Sequence, residues 1–221
     1  MQDTPGRPWP VTVFDAIPLR TPVREIYRRL GWRSGRTELP DERRREVDRQ
    51  IREAESLIHL RGAARRVPLR LLEAGRTVLA GGQSLESAKL SRFLEGCPDV
   101  LLMAATAGGD IVAEASRDTA AGSATRGVVL DAAASEITDA ALDWIAAWFN
   151  RMLLREGRRL LKRRYSPGYG DLALESQRTL FKLLELDRIG VSLTDHSLLV
   201  PEKSVIALTG ILPGTEPDHD R

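Results

Sequence analysis

A single cysteine, Cys97, is all the thiol this chain has. One thiol closes no intrachain disulfide and cannot supply both halves of a CxxC metal pair, so a disulfide scaffold is excluded and a reducing compartment fits best. Cys97 sits in Gly96-Cys97-Pro98 between helix-like and strand-like stretches, and a small buried residue is the reading favoured over a nucleophile. Aromatic residues are also scarce, at 5%. Leu, Val, Ile and Ala must then fill the core, which favours helix-rich packing. The net charge is only +2, below the basic excess of a dedicated nucleic-acid binder. No apolar run reaches the length of a membrane span. The first ten residues hold Pro5, Pro8 and Pro10 but no signal-peptide core. No internal repeat or low-complexity tract is present.

What remains is ordinary globular composition: 221 residues, 42% hydrophobic and 29% charged. That suits one cytoplasmic domain with frayed ends, and neither nucleic acid nor membrane is expected as a partner. Residues 1–80 are expected to form a helical and strand region of the same domain, 81–212 its core, and 213–221 a flexible acidic tail.

Along the chain, residues 11–14 are β-rich. Thr21-Pro22 opens a helix over 23–30 that stops at Gly31, and residues 31–39 read as a loop. Pro40-Asp41 opens a charged helix to about Ile58, with Val47, Ile51 and Ala54 at helical spacing. Acids interleave with Arg43, Arg44 and Arg45, so for this helix and the basic run 61–70 a solvated amphipathic face is preferred to a nucleic-acid patch. Residues 69–72 and 77–79 read as strands around Gly75, and 84–94 as a helix. Residues 99–107 form a buried type of strand that ends at Gly108-Gly109, where a tight turn is preferred to a phosphate cradle. Residues 112–126 are partly helical, and 128–162 strongly so. Trp144 and Trp148 belong to the core there. A further helix starts at Asp171 or Leu172. Residues 190–201 and 203–210 suggest an antiparallel hairpin.

One segment carries chemistry. After the long helix comes Arg164-Tyr165-Ser166-Pro167-Gly168-Tyr169-Gly170-Asp171. Pro167-Gly168 is a turn pair. Gly168 and Gly170 allow close backbone approach and can point N–H groups at a ligand. Arg164 can fork two hydrogen bonds onto a carboxylate, and Tyr169 offers a ring and a hydroxyl. A helix end whose basic residues meet the dipole is the competing reading.

That run, the helix after it, and then Leu193-Thr194-Asp195, Pro201 and Ser204-Val205 resemble the activation domain of cobalamin-dependent methionine synthase. The likeness is closer to the short stand-alone proteins related to that domain. It is specific over about 131–212 and traceable from Ser84. The resemblance implies an α+β fold with a bent antiparallel sheet packed with helices. It implies S-adenosylmethionine as ligand and cobalamin carried by a partner, a methionine synthase or other corrinoid protein, with an electron from a flavodoxin-like reductant. The family motif, an Arg, three residues, then Gly-Tyr, falls on Arg164, Gly168 and Tyr169. By resemblance, Arg164 holds the methionine carboxylate, and the backbone of Ser166, Pro167, Gly168 and Tyr169 lines the ligand. A family Glu on the preceding helix, facing the sulfonium and amino end, has its best match in Asp139, with Glu136 as rival. The implied activity is that of a methyltransferase component that reactivates its partner in trans.

Two departures stand out. The family domain continues past the last strand with further ligand-site chain, including an aromatic, whereas this sequence ends soon after Leu212. There is also no Asp-x-His-x-x-Gly run to supply an axial histidine. His59, His196 and His219 are scattered, and solvent or structural roles suit them better than ligation. Two alternatives stay open: a corrinoid-docking regulator without methyl transfer, and an unrelated small-ligand protein using Gly81-Gly82 or Gly108-Gly109.

Overall fold

The computed structural model describes residues 9–32, 40–122 and 124–214. In chain order, β1 (Thr12–Phe14), α1 (Val23–Arg29) and α2 (Asp41–Leu57) lead to β2 (Arg61–Glu73), β3 (Arg76–Leu79) and β4 (Ser84–Glu86). A short α3 (Ala88–Phe93) and β5 (Asp99–Thr106) come next, then α4 (Asp110–Ala120) and the long α5 (Ala124–Arg155). The chain closes with β6 (Arg159–Leu160), α6 (Ser176–Leu184), β7 (Ser192–Leu193), β8 (Leu199–Val200) and β9 (Ser204–Leu212).

The residues of β5, Asp-Val-Leu-Leu-Met-Ala-Ala-Thr, show no polar alternation, and all eight are buried. A strand buried on both faces reads as a continuous apolar run, and β5 lies inside the sheet order β4-β3-β2-β5-β9-β6. The pairings are antiparallel, and β1 adds to the side of β2. The sheet bends along β2. Its first part pairs with β5 and its last part with β3, with a register shift between Leu69 and Leu71.

Side chains alternate between the faces. Leu101, Met103, Ala105 and Ala207 pack with Ala141, Leu142 and Ile145 of α5. Leu102, Ala104, Ile206 and Leu208 pack with Leu180 and Leu184 of α6 and Leu90 of α3. A third cluster joins Ile26, Val47, Ile51 and Ile111 to the early turns of α5, at Leu130, Ala133 and Ile137. Alanines along α5 permit this close approach. Trp144 and Trp148 are half-buried against the α5-face cluster, and each meets Phe14 edge-on, at 5.4 and 5.3 Å.

Several expectations are corrected. The basic run 61–70 is not a solvated face. It lies within β2, with Gly62, Ala63, Ala64, Arg66 and Val67 buried. Arginine stems can cross such a strand when their ends find partners, and Arg65 donates to the carbonyls of Trp9 and Leu183. Residues 84–94 split: β4 pairs with β3, and Ser87 then caps α3 by accepting from Leu90 N at 2.9 Å. The long helix stops at Arg155 rather than 162. Gly157, at φ +69°, turns the chain so that β6 can pair with β9. The next helix starts at Ser176, not at Asp171 or Leu172. β7 and β8 do form a hairpin, but β9 leaves it to lie between β5 and β6. The 31–39 loop falls mostly outside the described residues, and the 213–221 tail is described only to Gly214.

Arg126 ties three helices together. Its guanidinium meets Glu53 of α2 and both Glu114 and Asp118 of α4. The Arg126 hydrogen bond holds the Glu53 carboxyl below its usual value of 4.5. A carboxyl depressed in the folded state contributes stability that is present above its unfolded value and lost as pH falls through the folded one. Arg126→Met is therefore expected to lower stability at neutral pH by about 2 kcal/mol, since three carboxylates then face one another. It should also flatten the loss of stability below about pH 4.5. Urea titrations at pH 7 and pH 4 check both outcomes.

Candidate functional site

Arg164 is placed by the sheet. After β6 the chain continues along β9: Leu161 N donates to the Gly210 carbonyl at 2.9 Å, and Tyr165 and Leu208 exchange two backbone bonds of 2.8 Å. Thr209 Oγ1 donates to the Arg163 carbonyl at 2.8 Å. Extended backbone sends neighbouring side chains to opposite sides. Tyr165 joins the α6-face core, its ring 5.9 Å from Phe93. Arg164 instead reaches α5. Its Nη2 donates to Asp139 Oδ1 at 3.0 Å, and its Nη1 donates to Asp143 Oδ1. The guanidinium is mostly covered, whereas both carboxylates are exposed.

Asp139 is thus brought to Arg164. Glu136 turns toward α1 and pairs with Arg29 Nε at 2.6 Å. Sequence reasoning missed Asp143. The signal for it was its i,i+4 spacing from Asp139, which puts the two carboxylates one turn apart on one face.

The loop beyond Arg164 is tightly bonded to itself. Gly168 N donates to the Leu172 carbonyl at 2.8 Å, and Tyr169 N to the Ser166 carbonyl at 3.1 Å. The expectation that Gly168 points its N–H at a ligand is therefore not met in this conformation, because that donor closes the turn. Pro167 sits at the turn between Ser166 and Gly168, and Tyr169 is 73% exposed, edge-on to Tyr165 with ring centres 6.3 Å apart. Asp171, read from sequence only as a helix start, clamps the loop to α3. It accepts from Ser87 Oγ, from Lys89 N at 3.1 Å and from Tyr165 Oη at 3.3 Å. The Ser87 hydrogen bond, with Lys89 N behind it, holds the Asp171 carboxyl below the usual range.

Gly170 is the tight point. Its φ is +64°, and a Cβ there would lie 2.2 Å from Tyr165 Oη. Gly170→Ala is expected to push the tyrosine off Asp171 and to cost about 1–3 kcal/mol. A fall in melting temperature, with the tyrosine absorbance shifted, would register it.

The other candidates lie elsewhere. Cys97 is buried, and burial pushes its thiol up, away from nucleophilic character. His59 pairs with Asp110 at 3.2 Å, His196 is exposed beside the β7–β8 turn, and His219 lies outside the described residues. Among the described residues no group of three or more His, Cys, Asp or Glu is placed to hold a metal ion, and no helix is long and apolar enough to cross a membrane. Gly82 and Gly108 take left-handed φ values at turns, and Gly109 leads into α4.

The site thus combines a forked cation, two carboxylates within one helical turn, and an exposed tyrosine ring. Such a set can take the carboxylate and ammonium of an amino acid together, with an apolar or aromatic appendage beside them.

No family model and no curated protein matches the chain. Among solved structures, it is similar to the crystal structure of the MetH reactivation domain bound to AdoHcy, with a TM-score of 0.64 and 15% identity. The match covers 94% of this chain and 80% of that one. The bent antiparallel sheet and packed helices described above are the fold of the MetH reactivation domain.

Proposed function

We propose that the chain binds S-adenosylmethionine through the loop from Arg164 to Tyr169. In this reading it serves, in trans, the reductive remethylation of cob(II)alamin on a cobalamin-dependent methionine synthase or another corrinoid protein, with an electron from a flavodoxin-like reductant. The carrying observation is the Arg164–Asp139–Asp143 cluster, set on a fold that holds AdoHcy in another protein.

The residues fit the ligand. One guanidinium against two carboxylates leaves the cluster with one net negative charge. S-adenosylmethionine brings a carboxylate, an ammonium and a sulfonium, which sum to one positive charge. Its carboxylate takes the guanidinium fork, and its cationic end takes Asp139 and Asp143. The existing ion pairs are exchanged rather than lost, so no buried charge is stranded. Ser166, Pro167, Gly168 and Tyr169 supply the wall beside the sulfonium.

The bound ligand supplies a methyl group on a sulfonium, which a cobalt nucleophile can accept without a general base. The part left to this chain is to hold that methyl in line with a partner's cobalt and keep it there, which is positioning catalysis. Methyl transfer from labelled S-adenosylmethionine to a reduced corrinoid protein tests this. Transfer that depends on this chain supports it. Ligand binding without transfer, across a panel of corrinoid partners, would instead favour a docking regulator.

A further inference from the structure

A groove of about 670 Å³ opens between α4, α6 and the β7–β8 hairpin. It is separate from the Arg164 cluster, which is built on α5. Its walls are mainly apolar and include Val112 and Ala113 of α4, Leu198, Leu199 and Pro201. Gln177 of α6 belongs to the lining and is only 9% exposed. Its Oε1 is buried without a partner, and its Nε2 makes no hydrogen bond among the described residues. A buried amide left unbonded destabilises the free protein, and a ligand that bonds it removes that cost. Rotation of the amide can present either its donor or its acceptor. A peptide group carries one of each, so it answers Gln177 in both orientations.

The charges around the groove are not symmetric. Glu202 stands on one rim, 75% exposed and 3.4 Å from Lys203. Lys203 also meets Asp131 at 2.6 Å, so that rim has no spare cation. At the other end, Gly109 and Pro201 also line a second cavity of about 240 Å³, together with His59, Arg61 and Asp110. The shared walls make the two cavities one trough. Arg61 is exposed and meets no carboxylate among the described residues. Helix α4 begins at the same point, with Ala113 N donating to the Gly109 carbonyl at 2.9 Å. The N–H groups of Asp110, Ile111 and Val112 therefore have no partner inside the helix. Free helix amides beside a guanidinium favour an anion. Asp110 opposes that anion in part, with its carboxylate 3.2 Å from His59 Nε2.

We infer that the trough binds the carboxyl terminus of a peptide that ends in apolar residues. The terminal carboxylate sits at the start of α4 beside Arg61, the apolar side chains fill the groove, and a peptide group bonds Gln177. The three contacts are independent, and each can be removed by itself.

The test uses the full chain and N-acetyl-leucyl-leucine as the probe, in calorimetric titrations. The acid is expected to bind saturably, with a dissociation constant on the order of 0.1–1 mM for a ligand of about 20 heavy atoms. Its carboxamide, which lacks the charge, should bind about tenfold more weakly. Arg61→Ala should weaken the acid by a similar factor and leave the carboxamide unchanged, because the two changes remove one contact. Asp110→Asn should tighten the acid. Gln177→Leu should weaken acid and carboxamide alike, about tenfold. Its melting temperature without ligand should equal or exceed that of the wild type, because an unbonded amide has been removed. Gln177→Met serves if the leucine variant fails to fold. The inference is overturned if the acid does not saturate, if the carboxamide binds equally well, or if a folded Gln177 variant binds like the wild type. Adenosine monophosphate that binds more tightly than the acid and displaces it would also overturn it, in favour of a nucleotide site at Gly108-Gly109.

Discussion

Asp99→Ala is expected to destabilise the protein by about 3–5 kcal/mol, a large part of the roughly 5–15 kcal/mol that holds a domain together. Asp99 opens β5, and its carboxylate accepts from Arg66 Nη2 at 2.9 Å and from Arg158 Nη1 at 2.6 Å. The side chains of Arg66 and Asp99 are 6% and 8% exposed. Arg66 also meets the more exposed Glu156 at 2.8 Å and lies 4.0 Å over the Trp9 ring. Removing the carboxylate leaves the buried Arg66 guanidinium with only the half-exposed Glu156 as counter-charge, and that poorly compensated charge dominates the cost.

The urea midpoint should fall with little change in slope. Replacing both partners, Arg66→Met with Asp99→Leu, should recover most of the loss, because the two buried charges are then gone and the charges left behind, Arg158 and Glu156, are more exposed. A loss below about 1 kcal/mol in the single variant would mean that the pair is hydrated and not structural. The knot has a functional side as well. It fixes the turn between α5 and β6, and β6 leads directly into the edge segment that aims Arg164 at α5.

Residues with one unambiguous period were legible in the sequence. The apolar run of β5, the amphipathic spacing of α2 and the alanine-rich stripe of α5 each have a single packing solution. β2 was obscured because Arg61-Gly62-Ala63-Ala64-Arg65-Arg66 carries small and basic residues where strands usually carry β-branched ones. Only its neighbours β5 and β1, and carbonyls and carboxylates far along the chain, give those arginines a place. Ser84 to Leu94 failed for a related reason. Ser87 is a capping residue, and a cap three residues into a helix-like pattern marks its true start.

At the site, Arg164 was singled out by its motif, and Asp139, with Glu136 as rival, only by the family resemblance; that Arg164 pairs with Asp139 was seen in the fold. Asp143 needed the fold, since the side of α5 that meets the loop depends on how β6 turns back along β9. Asp171 was missed because its partners, Ser87 and Lys89, come from a distant part of the chain.

Arg164→Ala carries the largest expected effect on binding. A forked, charge-assisted pair with a carboxylate contributes about 1.5–3 kcal/mol, so affinity for S-adenosylmethionine should fall on the order of 100-fold. Arg164→Lys should recover only part of it, since an ammonium offers a point charge in place of the planar fork. Stability should change little. The two carboxylates paired with Arg164 are exposed, and such ion pairs contribute about 0–1 kcal/mol. That contrast separates a ligand-holding arginine from one that merely closes a helix end. In the second case stability would shift and affinity would not.

The most direct measurement is a calorimetric titration of S-adenosylmethionine into the wild-type chain and Arg164→Ala, each with and without a corrinoid protein. The account predicts saturable binding by the wild type that the variant loses, with both proteins melting at nearly the same temperature. No binding by the wild type, even with the corrinoid protein present, would contradict it.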